Sequence, residues 1–253
     1  MAKNSKQKIA LVTGASKGIG KAIALRLSSI GYYVYVTYHS DLDGGKKTLK
    51  EISSSGAKGG LHKLDVRDES SVKSLMDKID EEYGHLDLLV NNAVKELSKP
   101  IEEASLDDWK TVLSTKLDGA FLTTKYAIPL LKKSENPNLV NIATYEGERP
   151  VADFLAYGVA NAGLIAFTKA MATYLPRYGI RVNAIMPGEV RTPLWGDGYN
   201  DDKLWKELDE ANPMGRVAGV KDVADALILL TEDPNKFLNG NFLFVNGGKH
   251  LKP

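Results

Sequence analysis

The sequence predicts an α/β fold: one doubly wound domain with a parallel sheet of about seven strands and helices on both faces. Three observations point there. Short β-rich apolar runs alternate with amphipathic stretches along the whole chain. The connections are mostly short, and strands joined through helices pair in parallel with both sheet faces covered. The first apolar run, Ile9-Ala10-Leu11-Val12, also passes directly into a glycine-rich turn and then a helical pattern.

Taken in order, strands are expected at 8–13, 33–38, 59–64, 86–91, 138–142, 181–185 and 241–245. Each is a short β-rich run, bounded by polar or glycine-containing segments. Helices are expected at 19–30, 45–54, 69–83, 106–131, 154–178 and 221–230, where apolar residues recur at the spacing of one helix face. Residues 1–7 read as a polar tail, and 187–201 as the longest irregular stretch, rich in Gly, Asp and Trp. A loop of that length in a compact domain is usually a lid, here assigned to 188–213. No repeat or linker divides the chain, so 1–253 is read as one domain.

The turn itself, T-G-A-S-K-G-I-G over 13–20, carries chemistry. Glycines let the backbone approach a pyrophosphate closely, and the helix start offers free N–H groups and a positive dipole end. Gly14 and Gly18 lie four residues apart rather than two, so the pattern is a variant of the Rossmann-type turn. Ligands of such sheets bind beyond the carboxyl ends of the strands, at the switch point.

Composition narrows the rest. The chain has 253 residues and a net charge of +1, with no basic excess for nucleic acid or membrane surfaces. It has no cysteine, hence no disulfide, thiolate metal site or cysteine nucleophile. His39, His62, His85 and His250 show no metal spacing, and no metal site is assigned. No apolar run is read as a membrane span and no leader is evident, so a cytoplasmic protein is expected.

With these motifs in view the chain resembles the short-chain dehydrogenase/reductase family over nearly its whole length, closest to the 3-oxoacyl-carrier-protein reductases and related sugar or alcohol dehydrogenases. The resemblance rests on 13–20, on Asp65-Val66, and on Asn91-Asn92-Ala93. It rests further on Arg181-Val182-Asn183, on Pro187-Gly188 with Thr192, on Pro213-Met214-Gly215-Arg216 and on Val245-Asn246-Gly247-Gly248. It implies cofactor contacts from Gly14, Ser16, Lys17, Gly18, Ile19, Gly20, Tyr38, His39, Ser40, Asp65, Val66, Asn92, Ala93, Tyr157, Asn161, Pro187, Gly188, Val190 and Thr192. It also places the R-V-N and P-G-x-x-x-T segments near the nicotinamide.

The chemical end departs from the family. The family tetrad is Asn, Ser, Tyr and Lys; the matching positions here hold Lys116, Thr144, Tyr157 and Asn161, and Val94 replaces the glycine of N-N-A-G. In the family the Tyr protonates the carbonyl oxygen as hydride arrives, and the Lys holds the ribose and lowers the Tyr pKa. A cation about 4 Å away at an effective dielectric of ~20 is worth about 4 kcal/mol, or roughly 3 pKa units. Asn161, one helical turn from Tyr157, shares its face and can hydrogen-bond a ribose hydroxyl, but supplies no such field. Asn and Lys have exchanged places, and the Lys116 stem is long enough to reach toward Tyr157 from the other side. The alternatives are a Lys116 that faces solvent or an interface, and a Tyr157 that is an inherited core residue of a silent enzyme.

The remaining candidates are weaker. Lys95 and Glu96 follow the fourth strand, and Tyr145, Glu146, Glu148 and Arg149 follow the fifth, where substrates sit, though solvated loop charge gives the same pattern. Trp195 and Trp205 flank the lid and cover an apolar group or pack in the core or at an interface. Asp153 reads as a helix N-cap rather than an acid. Because no acid ends the second strand before Asp41, and Lys17 sits in the turn where the family's NADP users carry a base, the cofactor is read as NADP(H).

The function expected is therefore an NADP-dependent reductase of a small carbonyl substrate, with Tyr157 as general acid. The alternatives are a C=C or C=N reductase, or a silent NADP-binding protein on the same fold. A homo-oligomer, tetramer or dimer, is implied by the family's pairing of the helices near 106–131 and 154–178. Ala120, Phe121, Leu122, Leu164 and Phe167 are consistent with an interface or with core.

Overall fold

A computed structural model describes residues 7–232, 234 and 236–252. Most of the expected tail lies outside these residues; Gln7 is described and donates to the Gly31 carbonyl at 2.7 Å. The strands are β1 (Lys8–Val12), β2 (Tyr32–Tyr38), β3 (Gly59–Lys63), β4 (Leu88–Asn91), β5 (Asn138–Ile142), β6 (Arg181–Pro187) and β7 (Phe242–Val245). The helices are α1 (Gly18–Ser29), α2 (Leu42–Ser54), α3 (Glu69–Tyr83), α4 (Leu106–Leu113), α5 (Gly119–Leu131), α6 (Leu155–Tyr174), α7 (Asp202–Ala211) and α8 (Val220–Thr231).

The strands form one sheet in the order β3-β2-β1-β4-β5-β6-β7, every pair parallel. Side-chain alternation in β1 builds both layers. Ala10 and Val12 pack with Ile23 and Leu27 of α1 and Val223 and Leu227 of α8. Ile9 and Leu11 pack with Val72 and Ile79 of α3 and Leu130 and Leu131 of α5. The order reverses between β1 and β4, which opens the crevice there. Asn92 closes it from below: its amide donates to the carbonyls of Thr13 at 2.9 Å and Gly14 at 3.0 Å.

Three expectations are corrected. The helix expected over 106–131 is broken by a π-helical turn, Ser114–Asp118, between α4 and α5. The stretch expected to be irregular is mostly helical. It forms a 3₁₀ segment, Pro193–Asn200, kinked at Gly196, followed by α7, whose N-terminus Asp201 caps by accepting from Lys203 and Leu204 N–H. Asp153 caps nothing: it lies inside the 3₁₀ turn Ala152–Phe154, and Phe154 is the residue preceding α6.

The expectation that no apolar run reads as a membrane span is corrected as well. Over 152–178 the helical segment is long and apolar enough, by length and composition, to cross a membrane. Leu164 and Ile165 of its buried face pack with Ala143 and Met186 of the sheet region, as in the core helix of a globular domain. Arg181 and Asn183 of the R-V-N segment stand at the start of β6, the end of the strand away from the crevice. The Arg181 guanidinium donates to the carbonyls of Leu230 (3.0 Å) and Leu238 (3.2 Å), and the Asn183 amide to Leu238 (2.9 Å). Their work is to hold the chain leading into β7, and the nicotinamide placement implied by the resemblance does not apply to them.

Candidate active site

Two connected cavities lie beyond the carboxyl ends of the strands. The larger, about 660 Å³, runs along Gly14, Ser16, Lys17, Gly18 and Ile19, past His39, Ser40, Asp65 and Val66, to Asn92, Ala93 and Thr192. The smaller, about 110 Å³, is lined by Lys116, Thr144, Tyr157, Pro187, Gly188 and Val190, with Glu96, Glu146, Glu189, Phe154 and Trp195. Ile19, Asn92, Val94, Glu96, Thr192 and Leu194 border both. The chemical groups and the glycine-rich groove therefore share a wall.

The groove fits an anionic dinucleotide. Gly14 and Gly18 adopt φ of +65° and +58°, which only glycine takes without strain. Helix α1 begins with no side-chain cap and no acid in its first turn, so its N–H groups remain free for a phosphate. Gly20 does not line the groove. A Cβ there would lie 2.3 Å from the Gly14 carbonyl oxygen, so this glycine lets α1 seat against the turn. Tyr38 does not line it either; its ring packs beside Gly45 of α2. At the far end Arg67, which sequence reasoning missed, donates to the Asp65 carboxylate twice through its guanidinium (2.9 and 2.8 Å) and once through its backbone N–H (3.0 Å), and holds that carboxyl down to about 2. His39 lies 3.3 Å from the same carboxylate. Asp41 also borders the groove, but its carboxylate is engaged in capping α2 through Gly44 N–H at 2.9 Å.

The exchanged lysine is buried. Lys116, 3% exposed, projects from the π turn and donates to the Ile142 carbonyl at 2.5 Å. Burial alone pushes its ammonium down to about 7. Tyr157 on α6 lines the same cavity; burial, with the nearby Glu146 and Glu96, raises its phenol well above the usual tyrosine value. Thr144 donates to the Pro187 carbonyl at 3.2 Å, so its hydroxyl must leave that bond to donate to a substrate. Asn161 lines neither cavity. It is fully buried, its amide donates back to the Tyr157 carbonyl at 2.9 Å, and its Oδ1 has no partner among the described residues. An i−4 carbonyl is the nearest acceptor for a short amide on a helix, which is why the side chain stays on its own helix.

The loop candidates separate as well. Trp195 borders the smaller cavity and Trp205 buttresses it edge-on, with centroids 4.9 Å apart. Glu96 and Glu146 enter the cavity, whereas Arg149 turns to the carbonyl groups of His250 and Lys252 and Glu148 is exposed. Glu189, unsignalled by any motif, accepts from the Tyr145 hydroxyl at 3.1 Å. Burial lifts Glu96 to about 7, with Glu146 adding repulsion.

Comparison with known proteins decides the family. The model described as enoyl-(acyl carrier protein) reductase matches residues 14–250. The chain belongs to the short-chain dehydrogenase/reductase family. It is 34% identical to glucose 1-dehydrogenase 2 of Bacillus subtilis over 255 residues, covering 100% of this chain and 98% of that protein. It is 32% identical to the 3-oxoacyl-[acyl-carrier-protein] reductase FabG of Escherichia coli over 248 residues, covering 98% and 99%. A solved actinorhodin polyketide ketoreductase with NADPH superposes with a TM-score of 0.91 at 31% identity, covering 100% of each chain.

Proposed function

We propose that this short-chain dehydrogenase/reductase reduces a small carbonyl substrate with NADPH, using Tyr157 as general acid and Lys116 as the cation that the family keeps on the tyrosine's own helix. The observation that carries the reading is that Lys116, Thr144 and Tyr157 line one cavity sharing a wall with the glycine-rich groove. Gly14, Ser16, Gly18 and Ile19 would seat the pyrophosphate, and Lys17 and His39 border the end where a 2′-phosphate would lie. The bound cofactor supplies hydride. The protein supplies the proton: a Tyr157 hydroxyl raised above its ordinary pKa stays protonated through the neutral range and serves as the acid for a carbonyl oxygen. A charged Lys116 would favour the phenolate that this transfer leaves behind. The lid over 188–213, with Trp195 toward the cavity, would exclude water. A cytoplasmic location and assembly as a homo-oligomer belong to the same proposal, as does the single-domain reading of 1–253.

The test is a double-mutant cycle on NADPH-dependent carbonyl reduction with Lys116→Ala, Asn161→Lys and both together. The proposal expects Lys116→Ala to lower kcat and Asn161→Lys to restore little while Lys116 is present, because two ammonium groups crowd one site. An additive cycle, with Lys116→Ala equal to wild type, would return the site to an attenuated or silent enzyme.

A further inference from the structure

The smaller cavity receives a carboxylate from the end of each of three successive strands. Glu96 follows β4, Glu146 sits in the 3₁₀ turn Tyr145–Gly147 that follows β5, and Glu189 follows β6. Glu189 is partly satisfied by the Tyr145 hydroxyl at 3.1 Å and by Lys249 at 4.0 Å. Glu96 and Glu146 have no ion pair and no side-chain hydrogen bond among the described residues, although both are half-buried. Among the described residues Lys116 is the one cation on the cavity wall, and its ammonium donates to the Ile142 carbonyl rather than to either carboxylate. Phe154 and Trp195 complete the wall. Two neighbouring carboxylates with no cation bonded to them are costly in a partly desolvated pocket, which favours taking up a proton or a cation there. Aromatic walls add attraction for an ammonium, not for an anion.

We propose that the substrate is a small carbonyl compound bearing a protonated amine, its ammonium held between Glu96 and Glu146. This rests on the reading of the cavity as the reductase's substrate site. A neutral polyol would satisfy acceptors but leave the paired negative charge in place, and a carboxylate substrate would add to it. The reaction balances with the groups named. The carbonyl carbon gains the hydride that NADPH loses, the C=O π pair moves to oxygen, and that oxygen takes the Tyr157 proton. NADP⁺ and an amino alcohol leave, the ammonium is unchanged, and Tyr157 is reprotonated from solvent.

The probes are isopropanolamine and its neutral counterpart propylene glycol, titrated calorimetrically into the protein saturated with NADP⁺, with NADPH oxidation by aminoacetone and hydroxyacetone read alongside. The expected result is a preference for the amine of about tenfold or more. The double variant Glu96→Gln/Glu146→Gln, checked for retained cofactor binding, should bring the two probes to near parity and improve binding of pyruvate, an anion. Equal affinities in the unaltered protein, or a preference that persists through both substitutions, overturns the ammonium site. If hydroxyacetone is turned over with no advantage to aminoacetone, the ammonium site falls while the reductase stands. If isopropanolamine is preferred but neither ketone is reduced, the premise fails, and the amine is a ligand rather than a substrate.

Discussion

Lys116 carries the account at the scale of the residue, and its burial makes it testable by pH. Its ammonium titrates near 7 in the folded chain against an ordinary value of 10.5, so between those values the unfolded state binds the extra proton. Stability from this site therefore rises with pH across that window, and the buried charge costs most below it. Lys116→Met should raise the melting temperature most below about pH 7, with the gain shrinking toward alkaline pH; melts across that range check it. The same titration predicts that carbonyl reduction slows as pH rises through about 7, because the cation that favours phenolate formation is lost. Glu96 titrates in the same range, so the control is Glu96→Gln, which should keep the inflection, while Lys116→Ala should remove it. At the other end of the groove, Lys17→Ala should weaken NADPH about tenfold or more and NADH little, read by titration of both. The exchange of Asn and Lys was legible from the two helices' motifs. That Asn161 folds back onto the Tyr157 carbonyl was not, because a one-turn spacing says which face two residues share and nothing of which acceptor a short amide finds first.

At the scale of the element, the glycine-rich turn and α1 act as one piece. A Cβ on Gly20 would stand 2.3 Å from the Gly14 oxygen and 2.5 Å from the Asn92 amide. Gly20→Ala should therefore cost about 1–3 kcal/mol and displace the turn, measured as a lower denaturation midpoint together with lost cofactor affinity. Had Gly20 been a ligand contact alone, affinity would fall with stability intact. Strands β1 and β4 were legible because buried parallel strands read as apolar runs, whereas the half-buried β3 and β7 were read from their place in the alternation. The helix over 106–131 looked continuous because a π turn stays helical and only widens the hydrogen-bonded loop from i→i+4 to i→i+5, with no Pro or Gly needed inside it. It is that turn, Ser114–Asp118, that carries Lys116 inward. Helix α7 was hidden by the Gly, Asp and Trp before it, yet its signal was present: Asp201 as cap, then Leu204, Trp205 and Leu208 on one face.

At the scale of the whole molecule, the parallel sheet and a crevice beyond its strand ends were legible from alternation and the turn motif, whereas the strand order that puts the reversal between β1 and β4, and the walls of the smaller cavity, were not. Glu96, Glu146 and Glu189 come from three separate loops, and only the parallel stacking of β4, β5 and β6 brings them together. Phe121 at 51% exposure, on α5, and Val159 at 38%, on α6, leave an apolar helical surface uncovered in the single chain. A homo-oligomer built across α5 and α6 should scatter light as a multiple of 27.6 kDa, and a mass of one chain at assay concentration would remove that expectation. The central claim is that Tyr157 hands a proton to a carbonyl oxygen in a cavity joined to the NADP(H) groove. The most direct measurement is NADPH oxidation, followed spectrophotometrically, by small ketones with the unaltered protein and with Tyr157→Phe. The account predicts carbonyl-dependent oxidation that falls by about a hundredfold or more in the phenylalanine variant while NADPH binding persists. Carbonyl-dependent oxidation of equal rate in both proteins would contradict it.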